Sequence, residues 1–256
     1  MYYRLLMLIL ICLMVFEVHG PVVHAATTTV ACSISGTFTI TDTVVSGQND
    51  CAGTATIPDE VTSIGNNVFY DASELTGITI SAGVTSIGNY AFADAINLAT
   101  VTFAAGSQLS SIGSYAFFRA SSLTAISIPA GVTSIEEGAF AYAFALTAIS
   151  IPAGVTSIGG QAFYFATALT SITFESGSQL TSIGSYAFYG ASALSAVTIP
   201  VGVTSIGVSA FHNASSLANI TFATGSKLTS IGVGAFQNAS ALTAIIIPAE
   251  VTSIGD

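Results

Sequence analysis

Few side chains in this sequence are equipped for chemistry, and they stand far apart. His19 and His24 lie near the N-terminus, which leaves His212 as the one imidazole in the body of the chain. Serines are plentiful, but a seryl nucleophile needs a base within hydrogen-bond reach, and a single histidine cannot serve them. No His or Cys cluster suits a transition metal, and no Gly-rich loop carries the lysine that a phosphate site requires. The adjacent acids Asp59-Glu60 and Glu136-Glu137 either touch a calcium ion weakly or are simply solvated loop carboxylates. The residues therefore imply no catalytic site, no metal and no cofactor.

Charge narrows the partners further. Only 6% of the 256 residues are charged and the formal net charge is -10, against a charged share of roughly 25% in ordinary soluble domains. After residue 25 the only bases are Arg119 and Lys227. Nucleic acid and anionic membrane both need clustered Lys or Arg, so both are disfavoured. Beyond the N-terminus no apolar run approaches the roughly 18 residues of a spanning helix.

Residues 1–25 read as a secretory signal, with Arg4 as the positive region, Leu5 to Phe16 as the apolar core and Val23-His24-Ala25 as a small-residue cleavage site. An uncleaved anchor is the alternative, but the apolar core is short and Glu17 and His19 follow it directly. Cys12 has no lipobox before it, which argues against lipidation. A secreted or cell-surface location follows. Residues 26–56 form an N-terminal cap segment that is Thr-rich, lacks any repeat and holds Cys32 and Cys51. In an exported chain such a pair favours a disulfide worth roughly 3 kcal/mol, the alternative being two buried thiols. Phe38 and Ile40 alternate with threonines as an edge strand would.

From residue 57 to 256 the chain is a repeat array. Ser-Ile recurs nine times, from Ser63-Ile64 to Ser253-Ile254, at intervals of 23 or 25 residues. Periods in the twenties with aliphatic residues at fixed offsets mark a leucine-rich solenoid, in which each coil covers the apolar face of the next. The predicted fold is a β-rich solenoid, a leucine-rich repeat array of about eight to nine coils, with a parallel sheet on one face and short strands and turns on the other. In Leu98-x-x-Val101-x-Phe103 the apolar residues point inward and Thr100 and Thr102 outward. Val84 and Ile87 return on the other side, followed by Gly88, which frees the turn, and by Ala91-Phe92.

Short coils connect the two steps through Ile-Pro-x-Gly-Val, as at Ile128 to Val132; long coils use Phe-x-x-Gly-Ser-x-Leu, as at Phe103, Phe174 and Phe222. The larger Phe is expected to fill the wider corner. The chain stops at Asp256, before the Ala-Phe of a further coil, as though cut within it. That invites end-to-end self-association or a following segment.

The run ISIPAGVTSIGGQAFYFATALTSITF, Ile149 to Phe174, resembles the BspA-type leucine-rich repeat family, and the likeness extends over about residues 56–256. The family often carries Cys shortly after Ala-Phe; here Ala72, Ala95, Ala120 and Ala143 stand there, so no cysteine ladder is expected. The resemblance implies an exported or cell-surface protein, some relatives being adhesins that bind host or matrix proteins.

Two surfaces are candidates for binding. Outward on the main sheet runs a hydroxyl column, Thr79, Thr102, Ser127, Ser150, Thr173, Thr198, Thr221 and then Ile246, which either grips a ligand or merely packs well as strand. After Ala-Phe the aromatic residues Tyr70, Phe118, Tyr142, Phe144, Tyr164, Phe165 and Tyr189 gather, with His212 next in line. They either form an exposed patch that anchors a partner or lie down as extra core. The leading function is a recognition or adhesion module for a protein or glycan. A passive spacer holding a further C-terminal domain on a rod roughly 40 Å long is the alternative. Ice binding by the hydroxyl column is remote, since Ser127, Ser150 and Ile246 interrupt it. Asn213, Asn219 and Asn238 begin N-glycosylation tripeptides whose use depends on the host.

Overall fold

Each coil of the chain crosses three sides of a prism, and the amino-acid pattern sets all three. The computed structural model describes residues 27–47 and 50–255, so the leader-like 1–25 lies outside the described residues. On the first side, strands from Gly53–Thr56 to Asn219–Phe222 make an eight-stranded parallel sheet in chain order. Its register advances one coil at a time, Ile78 pairing with Val101 and Ile126 with Ile149. On the second side, Ser-Ile strands from Ser63–Ile64 to Ser253–Ile254 form the parallel part of a twelve-stranded sheet. The residue before each Ser-Ile, threonine except for Ser110, is exposed and closes a hydroxyl-to-carbonyl ladder: Thr85 Oγ1 donates to the Thr62 carbonyl at 3.0 Å, Ser110 Oγ to Thr85 at 3.0 Å, and Thr181 Oγ1 to Thr156 at 2.9 Å.

The third side is built of turns. Among the described residues there are no helices, and here the coils are joined by amides pointing along the solenoid axis. The N–H groups of Asn67, Phe69 and Asp71 donate to the carbonyls of Asn89, Ala91 and Ala93 in the next coil at 2.7–3.0 Å. A left-handed residue at each of two positions per coil, such as Asn67 and Asp71 (φ 57° and 58°), sets that orientation.

The interior is a column of stacked rings. Phe69, Phe92, Phe117, Phe140, Phe163, Phe188 and Phe211 are fully buried, and their centroids follow one another at 5.1–5.4 Å with planes within 13° of parallel. Leucines such as Leu98 and Leu146 and the Val-x-x-Ile pairs fill the space between rings and sheets. In every coil but one, where Glu136 stands, a glycine follows Ser-Ile, and it does not serve to free a turn, as Gly88 was expected to. A Cβ on Gly184 would lie 2.5 Å from the Gly160 amide nitrogen, so glycine is needed because successive coils touch backbone to backbone there.

At the N-terminal end three antiparallel strands precede the coils: β1 (Thr27–Ala31), β2 (Thr37–Thr41) and β3 (Val44–Ser46). Phe38 and Ile40 are buried, and the Phe38 ring meets Phe69 edge-on at 5.8 Å. Their strand is not an edge, however. β1 and β3 flank it, and β3 continues into the parallel sheet through Ser63–Ile64. A Cys32–Cys51 disulfide, Cα to Cα 5.5 Å, ties β1 to the segment that begins the eight-stranded sheet.

Long and short coils do not mesh fully. Ala148–Ile151 and Ser171–Phe174 pair at four positions, and so do Ala196–Ile199 and Asn219–Phe222. Between Ser171–Phe174 and Ala196–Ile199, where a long coil meets a short one, only Ser171 and Ala196 remain paired. The junction after Phe103 keeps two pairs, and residues 242–248 after Phe222 form no strand. The added residues thus splay the sheet. Phe103, Phe174 and Phe222 pack on the core but stay half-buried, so they fill the wider corner only in part.

Candidate functional site

On the turn side the coils place side chains in columns. Counting from the buried Phe, position −2 holds Asn67, Tyr90, Tyr115, Gly138, Gln161, Tyr186, Ser209 and Gly234 in successive coils. Position +1 carries Tyr70, Phe118, Tyr164, Tyr189 and His212; position +2 carries Tyr142 and Phe165; position +4 carries Phe144. Coils lie roughly 4.8 Å apart at strand spacing, close enough for rings in neighbouring coils to touch.

They do touch, as one ridge. Tyr90 stacks on Tyr115 at 5.1 Å, and Phe118 meets Tyr115 and Tyr142 edge-on at 5.8 and 5.5 Å. Tyr142 also contacts Phe144, Tyr164 and Phe165. Tyr189 stacks with Tyr164 at 5.0 Å and with the His212 ring at 4.8 Å, with Tyr186 alongside. Six of the seven sequence candidates, Phe118, Tyr142, Phe144, Tyr164, Phe165 and Tyr189, are thereby brought together. Tyr70 is not. Ala93 follows it in its column, and it stands instead beside a cleft of about 610 Å³ with Asp50, Asp71 and Glu74.

The ridge rings neither stand free nor vanish into the core. Most are half-buried against one another, while Tyr90, Phe144 and Tyr186 are 39%, 43% and 38% exposed. Sequence reasoning missed Tyr90, Tyr115 and Tyr186. Their signal was available, since each sits two residues before a buried Phe in the strings NYAF or SYAF.

Glycines cut the seats for two rings. A Cβ on Gly138 would press into the edge of the Tyr115 ring, and one on Gly190 would come within 2.9 Å of Phe165. Tyr115 donates its hydroxyl to Glu137 Oε1 at 2.9 Å. Burial, then that hydrogen bond and the Glu137 charge, push the Tyr115 phenol up to about 12. Burial also raises Tyr164. Because the folded value of Tyr115 exceeds the free one, its contribution to stability is complete below pH 10 and is lost as pH rises toward 12. A spectrophotometric titration of phenolate is expected to show Tyr115 ionising last, and Glu137→Gln to move it down.

Polar groups flank the ridge. Arg119 pairs with Asp94 at 2.7 Å. Asn213 donates to the Tyr189 hydroxyl at 3.3 Å and accepts from Asn238 at 3.0 Å, so two of the three glycosylation asparagines are engaged side by side. His212 Nε2 lies 3.4 Å from the Asn238 amide, and its Nδ1 is buried without a partner. Among the described residues no serine, threonine or carboxylate side chain bonds that ring. Glu136 accepts from Ser134 at 2.6 Å. Among the described residues no three His, Cys, Asp or Glu side chains converge on a common metal position, and no helix is long and apolar enough to cross a membrane.

The other candidate surface is interrupted. Thr102, Thr173, Thr198 and Thr221 are all exposed, and Thr198 and Thr221 share a hydrogen bond of 2.9 Å. The splay between Thr173 and Thr198 breaks the column, which therefore lacks the regular array that ice binding requires.

The family model described as the BspA type leucine rich repeat region, in six copies, matches residues 48–164 and 133–256. None of the curated proteins matches the chain. Among solved structures, a leucine rich cell surface protein from Faecalibacterium prausnitzii A2-165 is similar at 26% identity and a TM-score of 0.68, covering 89% of this chain and 72% of its own. The leucine-rich repeat protein of T. pallidum matches at 21% identity and TM-score 0.54, covering 78% of this chain and 82% of its own. One from Eubacterium ventriosum matches at 19% and 0.53, covering 90% and 94%. The last two bear on the fold alone.

Proposed function

Because this chain belongs to the BspA type leucine-rich repeat family, we propose that it is an exported, non-catalytic recognition module that holds a protein partner against the aromatic ridge. The leader-like residues 1–25 and the cell-surface description of the Faecalibacterium protein support export. The observation that carries the reading is a backbone one. Tyr90, Tyr115, Tyr142, Phe165 and Tyr186 all adopt left-handed φ of 54–61°. Elsewhere these two positions hold Asn67, Gly138, Gly190, Asn213, Gly234 and Asn238, residues that take this conformation cheaply, and also Asp71, Asp94, Arg119, Gln161 and Ser209, none of them a ring. A bulky ring there costs roughly 1 kcal/mol or more. Coil geometry needs the conformation but not the ring, so five strained aromatics in neighbouring coils point to use of the rings themselves.

Ring stacking favours a protein partner over a glycan. A sugar packs on an open ring face, but Tyr115, Tyr142, Tyr164, Phe165 and Tyr189 each have a face stacked on a neighbouring ring. What the ridge exposes, chiefly Tyr90, Phe144 and Tyr186, is a Tyr-rich texture suited to protein interfaces. The net charge of -10, with Asp94 and Glu137 beside the ridge, favours a partner with a basic rim.

The test is a variant carrying Tyr142→Asn, Phe165→Gly and Tyr186→Gly, measured by surface plasmon resonance on immobilised extracellular-matrix proteins. Relief of backbone strain offsets much of the lost ring packing, so the melting temperature is expected to change little, while affinity falls at least about tenfold. Wild-type association should slow with added salt. Unchanged affinity in the triple variant would remove the ridge from the reading.

A further inference from the structure

The splayed junctions of the eight-stranded sheet open two grooves that the aromatic ridge does not share. One, of about 520 Å³, lies between Phe174, Glu175 and Ser178 of a long coil and Thr198, Pro200 and Val201 of the short coil after it. The other, of about 570 Å³, repeats the arrangement one long coil later, with Thr221, Phe222 and Ser226 facing Ile246, Pro248 and Glu250. We infer that these grooves are paired subsites for an uncharged, extended β-linked glycan running along the solenoid axis.

Each groove offers what a neutral sugar chain uses. There is one half-buried phenylalanine, one proline, hydroxyl groups and one carboxylate. Among the described residues no ring stacks on Phe174 or Phe222; each packs on the core and leaves its half-exposed remainder in the groove for the apolar side of a pyranose. Glu175 lines the groove while its two oxygens receive long hydrogen bonds of 3.4 Å from Ser150 Oγ and the Ala153 amide of the preceding coil, weak enough for a sugar hydroxyl to compete with them. Neither groove is lined by a cation, and each holds a glutamate, so a polyanion would be repelled.

Repetition argues for a polymer. The grooves occupy the same place in coils two steps apart, roughly 10 Å along the axis at strand spacing. That is close to one disaccharide of an extended β-linked chain. A peptide strand fits less well, because strand insertion needs a slot roughly twice the strand spacing, and here the neighbours remain paired at Ser171 and Ala196.

The experiment is calorimetry on the full-length chain with cellohexaose, xylohexaose and chitohexaose, their disaccharides, and polygalacturonate as an anionic probe. At least one hexasaccharide should bind more than about tenfold tighter than its disaccharide, since it reaches both subsites. Polygalacturonate should not bind. Val201→Arg and Ile246→Arg replace exposed side chains, one in each groove, at 41% and 87% exposure. Each alone should lower hexasaccharide affinity to the level of the disaccharide, and both together should abolish it at an unchanged melting temperature. No hexasaccharide binding, or binding that survives the double variant, overturns the inference. Binding lost only in the Tyr142, Phe165 and Tyr186 triple variant also overturns it and moves the glycan to the ridge. The protein-binding reading stands or falls separately, on the matrix-protein measurement.

Discussion

Phe163→Ala should lose about 3–5 kcal/mol, the range for emptying a buried phenylalanine site, and should break the cooperativity of the solenoid where it does so. Phe163 is fully buried and stacked on both faces, 5.4 Å from Phe140 and 5.1 Å from Phe188. No neighbouring side chain can collapse into the gap, because the coils above and below are fixed by backbone ladders on all three sides. In a solenoid each coil is stabilised mainly through its two neighbours, so a defect at one coil weakens the coupling between the halves. Denaturant unfolding should turn from one transition into two, with amide exchange fastest around residues 134–190. Phe236 offers the control: it is half-buried and touches one ring, Phe211 at 5.6 Å. Phe236→Ala should cost about half as much and leave a single transition. A Phe163→Ala cost below about 1 kcal/mol would show that the ring column is not what couples the coils.

The ring column and the two sheets were legible in the sequence because burial imposes one residue type at one offset in every coil. Ser-Ile, Ala-Phe and the strand leucines repeat since any departure leaves a hole or a clash. The turn side was only half legible. Asn67, Gly138, Asn213 and Asn238 advertise left-handed backbone, but the tyrosines and Phe165 in the same columns conceal it, and no local preference of theirs would suggest that conformation. Only the neighbouring coils, by demanding axial amides, force it. Strand neighbours were hidden too. Alternation at Phe38 and Ile40 revealed one buried face but not that β1 lies outside them, because that pairing depends on chain some ten residues away. In the long coils, Phe replaces Ile-Pro wherever two residues are added, which suggested a filled corner. How far the strands part is set by the short coil that follows, and it leaves Phe174 and Phe222 beside open grooves.

Removing the Cys32–Cys51 bridge is the other change expected to have a large effect, and its consequences should be local. A closed loop of this length, the cysteines being 19 residues apart, contributes roughly 3 kcal/mol in the chain-entropy model. The three antiparallel strands bury little of their own beyond Phe38, Ile40 and Val45, so they lack a separate core able to absorb that loss. Without the bridge, β1 and the bend at Ser35 would rest on backbone pairing with β2, on the bonds of Ser33, Ile34 and Ser35 to Ala52 and Thr54, and on Val30 packed against the core. The coils from Phe92 onward keep both neighbours and should stay folded. Cys32→Ser with Cys51→Ser should therefore strip exchange protection and protease resistance from residues 27–56 and expose the outer face of Phe69. The main thermal transition should fall by only a few degrees. Protection of residues 27–56 that persists in the double variant would mean that the strands dock on Phe69 without the bridge. A collapse of the whole array would instead make this end of the solenoid the nucleus on which every later coil depends.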